Sequence, residues 1–139
     1  MRPQTDAPIH RQQAIARAGG TARFKARVLA VLAAIPEGRV TTYGIIARHL
    51  HVGARQVAFI LGRLTAQESR RLPWFRVVAA KGVISTIKLG AVGRRQIARL
   101  RAEGVAVTPR NKVEDFGMIA WSPGWSFNGS DSKYPKERS

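Results

Sequence analysis

Thr41-Thr42-Tyr43-Gly44-Ile45-Ile46-Ala47-Arg48-His49-Leu50-His51-Val52-Gly53-Ala54-Arg55-Gln56-Val57-Ala58-Phe59-Ile60-Leu61 is the stretch on which the reading of the fold turns. Thr41 or Thr42 can offer a side-chain oxygen to the unpaired amides at the start of a helix over about 43–50. Ile45, Ile46 and Leu50 fall on one side of that helix and face inward. His51-Val52-Gly53 breaks it. The next helix is expected over about 54–66, with Val57, Ile60, Leu61 and Leu64 inward. Helix, short Gly-containing turn, helix is the helix-turn-helix pattern, although paired helices also occur in many small domains that bind nothing.

Outward from this stretch the pattern stays mixed but mostly helical. Upstream, Thr21 can cap a helix whose apolar face is Phe24, Val28, Val31, Leu32 and Ile35, and Pro36-Glu37-Gly38 turns the chain. Downstream, Pro73 is incompatible with a helix interior, and Phe75, Val77 and Val78 predict a short buried strand. Lys81-Gly82 predicts a tight turn before Val83-Ile84-Ser85. A last helix is expected over about 92–103, with Ile97 and Leu100 inward and Gly104 as its C-cap. Residues 105–121 predict one or two short strands or irregular chain. The expected fold class is therefore mainly α with a small β component. One domain over 23–122 is expected between a flexible basic arm, 1–22, and a polar tail, 123–139. Trp125 and Phe127 suggest that order persists to about that point.

Charge supplies the first functional constraint. The 139 residues carry 24 Lys and Arg against 8 Asp and Glu, a formal net charge of +16. Residues 24–122 alone account for +12 of it, so the basic field belongs to the domain itself. Such a field draws polyanions, nucleic acid before anionic membrane. The chain has no cysteine, which removes disulfides, thiol nucleophiles, zinc ribbons and iron–sulfur ligation. Its longest apolar run, Val28–Ile35, is too short to cross a bilayer. The N-terminus lacks the apolar stretch of a secretory signal, while its Arg and Ala content leaves a transit peptide open. No phosphate-binding loop, metalloprotease helix or nucleophile elbow is present. His49 and His51 diverge on a helix and read as surface or packing residues. Glu114-Asp115 reads as a solvated loop pair rather than a metal site. No catalytic constellation, cofactor or metal is expected.

Four blocks in order carry a resemblance. They are Ile35-Pro36-Glu37-Gly38-Arg39-Val40-Thr41-Thr42-Tyr43-Gly44, Ala54-Arg55-Gln56-Val57, Pro73-Trp74-Phe75-Arg76-Val77-Val78, and Gly82-Val83-Ile84-Ser85 followed by Arg95-Gln96 and Leu100-Arg101-Ala102-Glu103-Gly104-Val105. Together, over about 24–122, they resemble the winged-helix-like helix-turn-helix DNA-binding domain of O6-alkylguanine-DNA alkyltransferases. Those enzymes carry Pro-Cys-His-Arg-Val where this chain has Pro73-Trp74-Phe75-Arg76-Val77. The cysteine takes the alkyl group, so Trp74 makes the chain similar to the alkyltransferase-like proteins, which hold the lesion without removing it.

The resemblance implies a non-enzymatic sensor. It would bind duplex DNA through the minor groove, flip O6-alkylguanine into a pocket and direct the site to nucleotide excision repair. The implied pocket residues are Tyr43, Trp74, Phe75, Arg76, Val77 and Ser85. The implied DNA contacts are Thr42, Tyr43, Ala54, Arg55, Gln56 and Phe59. Tyr43 matches the residue that crowds the 3′ phosphate and aids rotation. Arg55 matches the arginine that fills the gap in the stack, a task suited to a planar guanidinium. Arg76 matches an arginine that mainly supports the site. Arg39, Arg48, Arg63, Arg70 and Arg71 are candidate phosphate contacts. The implied partners are duplex DNA containing O6-alkylguanine and excision-repair proteins, with no membrane, and the chain would act as a monomer in the cytoplasm or the nucleus. Four positions depart from the family. Phe75 replaces the usual His, and Ala58 and Phe59 follow Ala-Arg-x-Val where Gly is usual. Ile87 stands where some alkyltransferase-like proteins carry a base-facing cation. Phe59 either packs inward or makes an apolar minor-groove contact. These departures motivate an alternative: a general basic DNA-binding or architectural module that has lost lesion selectivity.

Overall fold

A computed structural model describes residues 21–124. The N-terminal arm up to residue 20, the tail from 125 with Trp125 and Phe127, and the side chain of Ile87 lie outside the described residues. The first helix, α1, covers 21–34. It buries Val28, Val31 and Leu32, with Ile35 just past its end and Phe24 packed against the same cluster, on the face predicted from their spacing. The chain then turns through Pro36-Glu37-Gly38 into a two-residue strand, β1 (Thr41–Thr42).

Helix α2 (Tyr43–Leu50) begins where Thr42 Oγ1 accepts a hydrogen bond from Ile45 N at 3.0 Å, so Thr42 is the capping threonine. Ile46, Ala47 and Leu50 are buried, and Ile45 is only half-buried, so Ala47 takes the inward place expected of Ile45. His51 closes the helix in the left-handed region, with φ of 60°. Helix α3 (Ala54–Leu61) starts at Gly53, whose amide donates to Gln56 Oε1 at 2.8 Å.

Helix α3 is shorter than the 54–66 predicted. It stops at Leu61 with Gly62 as its C-cap, and α4 (Ala66–Arg71) begins four residues later. The local chemistry explains the restart. Thr65 Oγ1 accepts from Glu68 N and Glu68 Oε1 accepts from Thr65 N, at 3.1 and 2.8 Å. This reciprocal capping box satisfies two amides that a continuous helix would satisfy otherwise.

A 3₁₀ turn, Trp74–Arg76, leads into β2 (Val77–Val78), so Phe75 sits in the turn rather than in the strand. β2 pairs in parallel with β1, Thr41 opposite Val77 and Thr42 opposite Val78. Lys81 and Gly82 make the expected turn, both with positive φ. A Cβ on Gly82 would stand 3.1 Å from Phe116 Cβ, so this glycine is required by contact as well as by backbone. A second 3₁₀ turn, Ser85–Leu89, precedes α5 (Ala91–Ala102). Glu103 is the C-cap of α5, and Gly104 follows it with φ of +88°. Residues 105–121 form isolated bridges, Val107 with Val113 and Val83 with Lys112, and a four-residue helix, α6 (Phe116–Ile119).

The apolar residues divide into two clusters. One gathers α1, α2, α3, Val77 and Trp121. The other gathers Val40, Phe75, Val78, Ile84, Ile97, Leu100, Val105, Val107 and Val113. Adjacent residues of β2 thus serve different cores, because strand side chains alternate.

Candidate nucleic-acid interface

Helix α3 buries Val57 and Ile60 and turns Ala54, Arg55, Ala58 and Phe59 to solvent. Arg55 makes no hydrogen bond or ion pair among the described residues, so its guanidinium is available to a ligand. Gln56 is exposed as well, but its Oε1 is occupied by Gly53 N, which leaves its amide nitrogen as the free end. Phe59 is 58% exposed and belongs to neither apolar cluster. It therefore does not pack inward. Thr42, expected at the DNA contact, is only 7% exposed and its hydroxyl is spent on the α2 cap, which takes it off this outward face.

Beside this face lies a cleft of about 700 Å³. Tyr43 of α2, Ala58 and Gly62 at the α3 edge, Trp74 and Val77 of the central segment, and Ser85 with Thr86 line it. Val92, Gln96, Arg95 and Arg99 of α5 close the far side, and Arg70 and Lys88 add charge. The lining thus mixes apolar walls with four cations and contains no carboxylate. Burial pushes the Tyr43 phenol above its ordinary range, and a hydrogen bond with Ser85 partly opposes this. Tyr43 is therefore a neutral phenol at physiological pH. Such a concavity, with apolar walls and convergent polar and cationic groups, has the make-up of a ligand-binding cleft.

Two residues expected in the pocket stand behind it. Phe75 is 4% exposed and is absent from the cleft lining. Its ring meets Trp74 edge to face at 6.0 Å and is covered by the Arg99 guanidinium at 4.5 Å and that of Arg76 at 5.3 Å. It braces the indole rather than touching the cleft. Arg76 also points away. Its Nε donates to both Glu103 oxygens, at 2.9 and 3.1 Å, and its Nη1 donates to Ile35 O at 2.7 Å, while Nη2 pairs with Glu103 Oε2. Glu103 also accepts from Gly38 N at 3.0 Å. Burial by itself would push the Glu103 carboxyl up, but the Arg76 and Gly38 hydrogen bonds outweigh it and hold the group below the usual carboxylate range.

Gln96 was not among the residues expected at the site. It is 1% exposed and its Nε2 donates to Phe75 O at 3.0 Å and Val77 O at 2.9 Å, while its Oε1 accepts from Thr86 Oγ1. It holds α5, the Trp74–Val77 segment and the Ser85–Leu89 turn together. A signal existed: Gly93, Gln96, Ile97 and Leu100 form the buried stripe of α5, so a glutamine occupies a core position of a helical pattern.

Arg55, Tyr43, Trp74, Val77 and Ser85 are thus brought onto one face and the cleft beside it, and Phe75, Arg76 and Thr42 are placed in support. Among the described residues no group of three or more His, Cys, Asp or Glu could hold a metal.

Comparison with known proteins identifies the family and the fold. A family model described as 6-O-methylguanine DNA methyltransferase, DNA binding domain, matches residues 23–105. The DNA base-flipping protein of Escherichia coli (strain K12) is 44% identical over 101 residues, 71% of this chain and 74% of that protein. Alkyltransferase-like protein 1 of Schizosaccharomyces pombe is 37% identical over 86 residues, 60% of this chain and 78% of that protein. The crystal structure of S. pombe Atl1 in complex with damaged DNA containing O6-carboxymethylguanine superposes with a TM-score of 0.63 at 33% identity, covering 73% of this chain and 97% of that one. Since the chain has no cysteine, no thiol can take an alkyl group in the cleft. It belongs to the 6-O-methylguanine DNA methyltransferase DNA-binding domain family and, with Trp74 in its 73–77 block, is similar to an alkyltransferase-like protein.

Proposed function

We propose that the chain is a sensor of O6-alkylguanine in duplex DNA that binds the lesion and leaves it chemically intact. The α2–α3 pair docks in the minor groove, Arg55 enters the base stack and Tyr43 assists rotation of the nucleotide. The flipped base lies against Trp74, Val77 and Ser85, with Phe75 and Arg76 as support. The observation that carries this reading is the opening of the cleft at the exposed face of α3, where Ala58 and Gly62 form its edge, in a chain that lacks a thiol. The relative bound to DNA containing O6-carboxymethylguanine supports it. Flipping costs a few kcal/mol, less for a damaged pair than for G·C, and the apolar wall of Trp74 and Val77 favours an alkyl group over water. The bound site then passes to nucleotide excision repair, in whichever compartment holds the DNA.

Equilibrium binding to duplexes containing O6-methylguanine or guanine, at one near-physiological salt concentration, tests the reading. The lesion duplex should bind more tightly and retain its methyl group throughout. Equal affinities would instead establish the general DNA-binding module, which the exposed Phe59 and the Ala58 side chain on the docking face favour.

A further inference from the structure

The outward face of α3 carries a large aromatic ring that no core requires. Phe59 is 58% exposed and follows Arg55 by one helical turn. The Arg63 guanidinium lies 4.6 Å from the centre of its ring. Arg55, Phe59 and Arg63 therefore present an aromatic ring between two cations. Cations alone would suffice to grip phosphates. A ring among them suits the flat face of a base, since every base offers a π-face for stacking.

The position of the ring says which base. Ala58 lines the cleft and also lines a second, open groove of about 1020 Å³ on the other flank of α3. That groove is bounded by Phe24, Val52 and Ile60, with Arg55 and Phe59 at the α3 side. Helix α3 is thus a partition: Trp74 is on one side and Phe59 on the other. A base rotated into the cleft leaves an unpaired partner on the opposite strand, and the Arg55 guanidinium can fill only the vacated place.

We propose that Phe59 is a second base-stacking residue and that the site at the mouth of this groove takes the unpaired nucleobase opposite the flipped nucleotide. Arg63 fixes the ring before DNA arrives and neutralises the phosphate beside it. The inference rests on the docking of α3 in the proposed function and adds to it a site for the undamaged strand.

Phe59→Ala, Phe59→Trp and Arg63→Gln proteins test it on a duplex with 5-iododeoxycytidine opposite O6-methylguanine, and on the matching guanine duplex. Phe59 is exposed, so the fold should be kept, as circular dichroism will verify. Phe59→Ala should weaken lesion binding roughly tenfold, and Phe59→Trp should restore it. Arg63→Gln should cause a smaller loss. Irradiation should crosslink the iodinated base to Phe59 in the native protein, as mapped by mass spectrometry. Lesion binding by Phe59→Ala within twofold of the native protein, or a crosslink that maps to another residue, overturns the role of Phe59 while the sensor reading stands. Equal binding of both duplexes by the native protein overturns the sensor reading and this proposal with it.

Discussion

At the scale of single residues, Arg55 and Trp74 make separable contributions. Arg55 has no partner within the described fold, so removing it costs the protein little and the complex much. Arg55→Ala should bring the ratio of affinities for lesion and guanine duplexes toward one, as measured by fluorescence anisotropy with both duplexes at the same salt. A protein that bound all DNA alike would lose only a small, uniform increment. Trp74→Ala opens the apolar wall of the cleft and removes the edge-to-face contact with Phe75. It should weaken binding of the lesion duplex about tenfold while leaving that of the guanine duplex nearly unchanged, because a buried aromatic contact contributes on the order of 1–3 kcal/mol. A common loss on both duplexes would place Trp74 in the general DNA contact instead. Phe75 supplies no proton to this cleft. A buried ring covered by two guanidinia acts on the indole by packing alone.

Among the elements, α5 is tied to the cleft wall by the buried Gln96 amide, beside its apolar contacts. Gln96→Leu roughly keeps the volume and strips the hydrogen bonds from the backbone carbonyls of Phe75 and Val77. Two buried acceptors would lose their donor, a cost of about 2–3 kcal/mol, which thermal or urea unfolding should reveal as a lowered midpoint. Most of the helices were legible in the sequence, because each announces itself by an apolar stripe and a cap. Thr42 before Tyr43 and the spacing Val28, Leu32, Ile35 needed no tertiary information. The end of α3 was missed since Leu64 continues the apolar stripe past Gly62, and the Thr65-to-Glu68 capping box that restarts the helix is a local signal that periodicity overrides. α6 is four residues long and has no amphipathic pattern to read. The exposed place of Arg55 followed from the helical stripe, since Val57 and Ile60 turn the other face of α3 inward. The supporting place of Arg76 was implied by the resemblance, but that of Phe75 was not legible, because its neighbours Trp74 and Val77 line the cleft while a 3₁₀ turn directs its own ring into the core.

Across the whole molecule, charge governs both stability and binding. Arg76 and Glu103 tie α5 to Ile35 and to the Gly38 turn. The Glu103 carboxyl is held below its ordinary range, so the stability it contributes is fully present above the unfolded-state value of about 4.3 and is lost as pH falls through the lower folded-state value. Glu103→Gln should lower stability at pH 7 by roughly 3 kcal/mol, because it leaves a half-buried guanidinium without its counter-charge. It should also flatten the acid limb of a stability–pH curve measured by urea unfolding. With a net charge of +16, affinity for any duplex should fall steeply as salt rises, whereas the ratio between lesion and guanine duplexes should change little, since both present the same phosphates. The division of Val77 and Val78 between two cores has a mechanical meaning. The cleft has α2 and α3 on one bank and α5 on the other, and Val77 lines it between them, its carbonyl hydrogen-bonded to Gln96 of α5. A change of volume at β2 is therefore felt in both cores and at the cleft wall at once, so the lining cannot be reshaped there without a cost to packing on each side.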